Sequence, residues 1–83
     1  MRVLYFAWVR EAVGIDEEQV APPAKVVTVA DLIAWLSGRS EGHARAFADR
    51  SRLRAAVDQA FVPLDAKVEG ATEVAIFPPV TGG

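Results

Sequence analysis

From its second residue the chain runs RVLYFAW over Arg2–Trp8, apolar or aromatic at odd and even positions alike. A strand that faces water on one side alternates apolar with polar, so a run apolar on both faces predicts a central, doubly covered strand. Met1, Val3, Tyr5 and Ala7 then point one way, and Leu4, Phe6 and Trp8 the other. Val9–Val13 has room for one helical turn before Gly14 stops it. Asp16–Ala21 (DEEQVA) is polar and reads as an edge strand guarded by its charges, ended by Pro22-Pro23. The clearest helical signal follows: Val29, Leu32, Ile33 and Leu36 recur at helical spacing behind Thr28, an N-cap with Asp31 three residues on. Gly38 supplies the stop, which predicts a helix over Val29–Ser37.

Beyond it the pattern is weaker. Gly42–Asp49 predicts a second helix with Ala44, Phe47 and Ala48 on one side. Leu53–Val57, a turn at Asp58-Gln59 and Ala60–Val62 read as a hairpin. Pro63–Gly70 is loop, and Thr72–Phe77 (TEVAIF) is a last apolar strand. The order β, β, α, β, β, β with one main helix predicts a two-layer α+β domain, its first and last strands at the centre of a mixed sheet.

The last strand runs straight into Pro78-Pro79-Val80-Thr81-Gly82-Gly83. At ordinary glycine usage a terminal Gly-Gly arises by chance in roughly one chain in two hundred. A proline pair favours extended backbone, so residues 78–83 are expected to form a semi-rigid stalk reaching roughly 20 Å beyond a domain of residues 1–77. Two residues without Cβ let the tip enter a channel too narrow for side chains. The group it presents is the Gly83 carboxylate, inert near neutral pH but an unshielded electrophile once activated, for instance as an acyl adenylate.

Composition narrows the field. Eighty-three residues, 52% of them hydrophobic and 24% charged, make one globular domain. A net charge of −2 gives no drive toward nucleic acid or anionic membrane, and no segment approaches the length of a membrane span. Met1–Val9 resembles a signal peptide only superficially, since it meets Arg10-Glu11 at once, and a cytoplasmic protein is expected. Without cysteine there is no disulfide, no thiolate metal site and no persulfide on the chain itself. No cofactor or metal is expected on this chain.

The remaining chemical residues suggest bland roles. Arg39, Arg45, Arg50, Arg52 and Arg54 read as a solvated surface. His43, with no nucleophile or carboxylate companion evident in the sequence, reads as an ordinary helix-surface histidine. Asp16, Glu17 and Glu18 alternate across a strand and so do not converge on a metal. No glycine-rich phosphate loop occurs. The off-core parity of Leu4, Phe6, Trp8 and Phe77, together with Phe61, leaves two possibilities open: an exposed apolar patch for a partner, or a surface covered by the second helix and loops.

FPPVTGG at the end, VLYFAWVREAVG at the start and AAVDQAFV before the last strand together resemble the small subunits of molybdopterin synthase, over the whole chain. The resemblance implies a ubiquitin-like β-grasp fold with parallel first and last strands. It also implies a sulfur carrier: a ubiquitin-activating-like adenylyltransferase uses ATP to adenylate Gly83, and sulfur transfer makes a thiocarboxylate. The tail would enter the large synthase subunit and give sulfur to cyclic pyranopterin monophosphate, forming the dithiolene of molybdopterin. The implied assembly is a heterotetramer of two large and two small subunits, with acid–base groups on the large one. Phe6, Arg10, Phe61 and Phe77 match the family's contact face, and Pro78, Pro79, Val80, Thr81, Gly82 and Gly83 its inserted tail. Asp58-Gln59 stands where the family usually has Asn-Gln, and Val68–Thr72 replaces its Asp-Gly-Asp-Glu run. Both departures fall in turns. A related Gly-Gly carrier for thiamine or tRNA thiolation, a protein modifier, and an inert β-grasp interaction module are the competing readings.

Overall fold

The computed structural model describes residues 1–79. Five strands form one mixed sheet: β1 (Arg2–Tyr5), β2 (Glu17–Gln19), β3 (Arg54–Val57), β4 (Ala60–Val62) and β5 (Glu73–Phe77), in the order β2-β1-β5-β3-β4. β1 and β5 are parallel, while the β1–β2, β3–β5 and β3–β4 pairs are antiparallel. Three helices, α1 (Ala7–Val13), α2 (Val29–Ser37) and α3 (Glu41–Ala46), and a 3-10 turn at Arg50–Arg52 complete the described elements. Parallel neighbours need a crossover, and here it contains every helix and three of the strands. The expectation of parallel first and last strands inside the sheet holds, and the arrangement is a β-grasp α+β fold.

Helix α2 forms as its sequence predicts. Thr28 Oγ1 accepts from Asp31 N–H at 3.1 Å, and the Asp31 carboxylate accepts from Thr28 N–H at 3.1 Å and Val27 N–H at 3.0 Å. Such a box satisfies donors that the first helical turn leaves orphaned, which stabilises by about 1 kcal/mol. Val29, Leu32, Ile33 and Leu36 are completely buried against Val3, Tyr5, Val74 and Ile76 of β1 and β5. Each such side chain contributes about 1.5–3 kcal/mol of burial. The β3–β4 turn is also as expected: Asp58 and Gln59 have φ of 47° and 72°, the left-handed pair that suits the twist of a two-residue hairpin.

The first strand is shorter than expected. β1 ends at Tyr5; Phe6 is extended, Ala7 takes φ 53°, and the helix begins two residues earlier than the sequence suggests. A left-handed alanine costs about 1–2 kcal/mol, which the burial of Val9 and the packing of Trp8, Ala12 and Val13 on the core offset. Trp8 is therefore a helical residue, not a strand residue. Gly14, at φ 97°, closes this helix as the sequence suggests.

The second expected helix also moves. Ser40 caps α3, which ends at Ala46 rather than Asp49. Its inward residues are His43, Ala46 and Phe47, whereas Ala44 and Ala48 are exposed. Gly42 lets this helix lie against α1, because a Cβ there would stand 2.4 Å from the Ala12 carbonyl oxygen. Among the described residues no helix is long and apolar enough to cross a membrane.

Candidate functional site

The helices cover one face of the sheet and leave the other open. In register, Glu17, Leu4, Ala75, Ala56 and Phe61 form one row across all five strands on the open side. Ala56 and Ala75 make a low floor, with Leu4 on one side of it and Phe61 on the other. Phe6 and Phe77 stand at one end, where Pro78 and Pro79 continue the lining. The result is an apolar depression of about 600 Å³ that runs into the start of the tail. Phe61 is 82% exposed and Phe6 47%; the Phe61 and Phe77 rings touch, centroids 5.6 Å apart. Among the described residues neither α3 nor the loops cover Phe6 and Phe61, which favours the exposed patch of the two alternatives.

One sequence expectation about this face needs correcting. Trp8 does not belong to it, because the turn at Ala7 carries the residue onto α1, where its ring lies under the Arg52 guanidinium at 4.6 Å. Arg10 is exposed on α1 and does not line the depression. Phe6, Phe61, Phe77, Pro78 and Pro79 do come together, from β4, the end of β5 and the segments that follow β1 and β5. Val80, Thr81, Gly82 and Gly83 lie outside the described residues.

A second cluster sits on the covered side, and its joining is invisible in the sequence. Glu18 pairs with Val3, a core residue, so its side chain enters the domain while Glu17 faces out. Its Oε2 accepts from Tyr5 Oη at 2.6 Å and from His43 Nε2 at 2.6 Å, and its Oε1 is 3.3 Å from Arg39 Nε. His43 is 6% exposed, not a surface histidine; its Nδ1 lies 2.7 Å from Ser40 Oγ, which also accepts the His43 backbone N–H at 3.1 Å. The ring also makes edge contact with Tyr5, centroids 5.9 Å apart. These bonds tie the three-residue edge strand β2 to β1 and α3. The cluster acts as a brace.

Burial by itself would raise the Glu18 carboxyl, but hydrogen bonds from Tyr5 and His43 and the charges of His43 and Arg39 outweigh it and hold the group below its ordinary value of 4.5. Burial, reinforced by Glu18, pushes the Tyr5 phenol far up. A carboxyl depressed in the folded state lends stability that is complete above its unfolded value and is lost as pH falls through its folded one. Glu18→Gln is therefore expected to lower stability at pH 7 by about 1–3 kcal/mol and to flatten the acid limb below pH about 4.5. Urea denaturation across pH measures both; an unchanged acid slope would remove Glu18 from the brace.

Comparison with known proteins agrees with this geometry. The model of the ThiS family matches residues 3–83. The chain belongs to the ThiS family. Among relatives of this ThiS-family chain, the molybdopterin synthase sulfur carrier subunit of Escherichia coli strain K12 is 45% identical over 83 residues, covering 100% of this chain and 99% of that protein. The protein of the same description from Haemophilus influenzae is 34% identical with the same coverage. A Pyrococcus furiosus structure described as a molybdopterin converting factor, subunit 1, superposes with a TM-score of 0.73 at 30% identity, covering 95% of each chain. SAMP1 from Haloferax volcanii superposes with a TM-score of 0.72 at 25% identity, covering 100% of this chain and 98% of that one.

Proposed function

We propose that this chain is the sulfur carrier subunit of a molybdopterin synthase. The observation that carries the reading is the continuity of the open aromatic face, through Phe77, Pro78 and Pro79, with a tail whose sequence ends in Gly-Gly. A docking surface merging into a narrow, side-chain-poor stalk suits delivery of a terminal acyl group into a partner's channel. The full-length similarity to sulfur carrier subunits supports the same assignment.

In this mechanism an adenylyltransferase partner supplies ATP. The Gly83 carboxylate attacks the α-phosphorus, pyrophosphate leaves, and an acyl adenylate results. Hydrosulfide-level sulfur delivered by a partner then attacks the acyl carbon, AMP departs as the acyl C–O bond breaks, and loss of the sulfur's proton leaves the thiocarboxylate. Inside the large subunit the thiocarboxylate sulfur attacks a side-chain carbon of the pyranopterin precursor, whose oxygen substituent leaves, and water then hydrolyses the acyl–sulfur bond to restore the carboxylate. Two carriers complete one dithiolene. Gly82 and Gly83 give the reacting carbon steric access; Phe6, Phe61 and Phe77 dock the carrier, with Arg10 at the margin; residues 78–81 span the channel. The large subunit contributes acid–base groups, and two copies of each subunit assemble in the cytoplasm. This chain contributes no bound cofactor.

The test combines three measurements on the full chain produced with its activating enzyme. Intact mass is expected to show one oxygen replaced by sulfur at the C-terminus. The large subunit is expected to co-purify, and the thiocarboxylated chain to yield molybdopterin from the pyranopterin precursor with that subunit. A thiocarboxylate without large-subunit binding would point to a different sulfur acceptor; no thiocarboxylate at all would end the carrier reading.

A further inference from the structure

The arginine run from Arg39 to Arg54, expected to be solvated surface, divides into two kinds. Arg39 is compensated by Glu18. Arg52 and Arg54 have no carboxylate within ion-pair distance among the described residues, yet both are held. The Arg52 guanidinium stacks on Trp8, and Arg54 Nη1 donates to the carbonyls of Leu53 at 2.8 Å and Ser51 at 3.2 Å. These contacts restrain the guanidinium groups without pairing either with a carboxylate, although, beside the hydrogen bonds from Ser51, the Arg52 charge helps to hold the Asp49 carboxyl below its ordinary value.

Their placement is specific. Arg54 is the ladder partner of Phe77, the last residue before Pro78, and borders a small hollow with Phe61 and Phe77. Trp8, which holds Arg52, follows directly on Phe6 and Ala7 at the same end of the open face. The opposite end differs: there Arg2 Nη2 meets Glu73 Oε1 at 2.6 Å and its Nη1 lies 3.9 Å from Glu17 Oε2. Among the described residues, one end of the face carries ion pairs, while the end from which the tail leaves carries none.

A guanidinium already held in place loses little side-chain entropy on meeting an oxyanion and presents a planar fork of donors to it. We propose that Arg52 and Arg54 form a cationic rim at the tail root that engages carboxylates on the large subunit's surface, beside the opening the tail enters. The proposal rests on the function proposed above. The phosphate of the substrate is not the anion meant, because a six-residue tail threaded into a channel would carry Gly83 up to about 20 Å from Phe77. An anion reacting at the tip is out of reach of arginines at the root. Charges at the margin of an apolar interface act mainly on encounter and register, so the rim speeds association and orients the tail toward its channel.

The test measures association and dissociation rates of the full chain with purified large subunit across ionic strength. Arg52→Glu with Arg54→Glu is expected to slow association about tenfold at low salt and to flatten or invert its salt dependence, leaving dissociation little changed. Arg52→Lys with Arg54→Lys, which keeps the charge, is expected to retain the wild-type salt dependence. Arg54 also ties down two carbonyls, so Arg52→Glu alone, which loses its stacking on Trp8 and its attraction to Asp49, is measured beside the pair with melting curves for each. It is expected to show part of the same loss. Wild-type association and salt slope in the glutamate variants would overturn the rim while leaving carrier function intact, as would a loss confined to dissociation. Failure of the wild-type chain itself to bind the large subunit would remove both readings.

Discussion

Deleting Gly83 is expected to lower molybdopterin formation by at least about 100-fold while leaving thermal stability and large-subunit docking nearly unchanged. Among the described residues the last to join the core are Val74 and Ile76 of β5, ahead of the tail. In the proposed function, docking rests on the aromatic face and the root at Pro78 and Pro79. Transfer, by contrast, needs the acyl carbon in one place. Removing one residue withdraws it by some 3.3–3.6 Å, and misplacing a reacting group by about 1 Å can cost 10²-fold. Single-turnover formation of molybdopterin, with melting and binding curves alongside, separates the terms. Gly83→Ala keeps the length while adding a Cβ beside the carbonyl, and is expected to impair adenylation or transfer more than binding. Normal turnover by the deletion variant would end the carrier mechanism; parallel loss of stability and activity would make the tail structural.

The second large effect is expected from Phe61→Glu. Phe61 stands on edge strand β4, with its ring against Phe77 and most of its surface in solvent. The free domain then loses one aromatic contact, no more than about 1 kcal/mol of stability. In the complex the substitution puts a charge into an apolar contact, with a loss of at least about 2 kcal/mol, or roughly 30-fold in Kd. Titration calorimetry against the large subunit and urea denaturation of the free chain give the two numbers. If the variant unfolds, Phe61 is a structural residue; if it folds and binds normally, docking occurs elsewhere. Arg52→Glu would shift mainly the association rate and Phe61→Glu mainly dissociation, so the two substitutions report on rim and centre separately.

Much of the domain follows from signals only a few residues long. The Thr28–Asp31 box and the apolar spacing of Val29, Leu32, Ile33 and Leu36 specify α2 because a helix is built from contacts three and four residues apart. Asp58-Gln59 between two apolar runs specifies the hairpin for the same reason of short range. Parity within β1 and β5 was enough to separate Val3, Tyr5, Val74 and Ile76 from Leu4, Phe6 and Phe77. What remained was decided by partners distant along the chain. The end of β1 depends on a left-handed Ala7 that no local propensity favours, stabilised by packing of α1. Trp8 leaves the open face on account of that one dihedral. His43 is buried because Glu18, 25 residues away, turns inward beside Val3 and meets it there. Whether Arg52 and Arg54 are compensated depends on which carboxylates the fold brings near, and sequence distance carries no record of that. Local hydrogen bonding and side-chain periodicity are written in the order of residues, whereas the pairing of buried charges and the exposure of a sheet face exist only once the strands have found their neighbours.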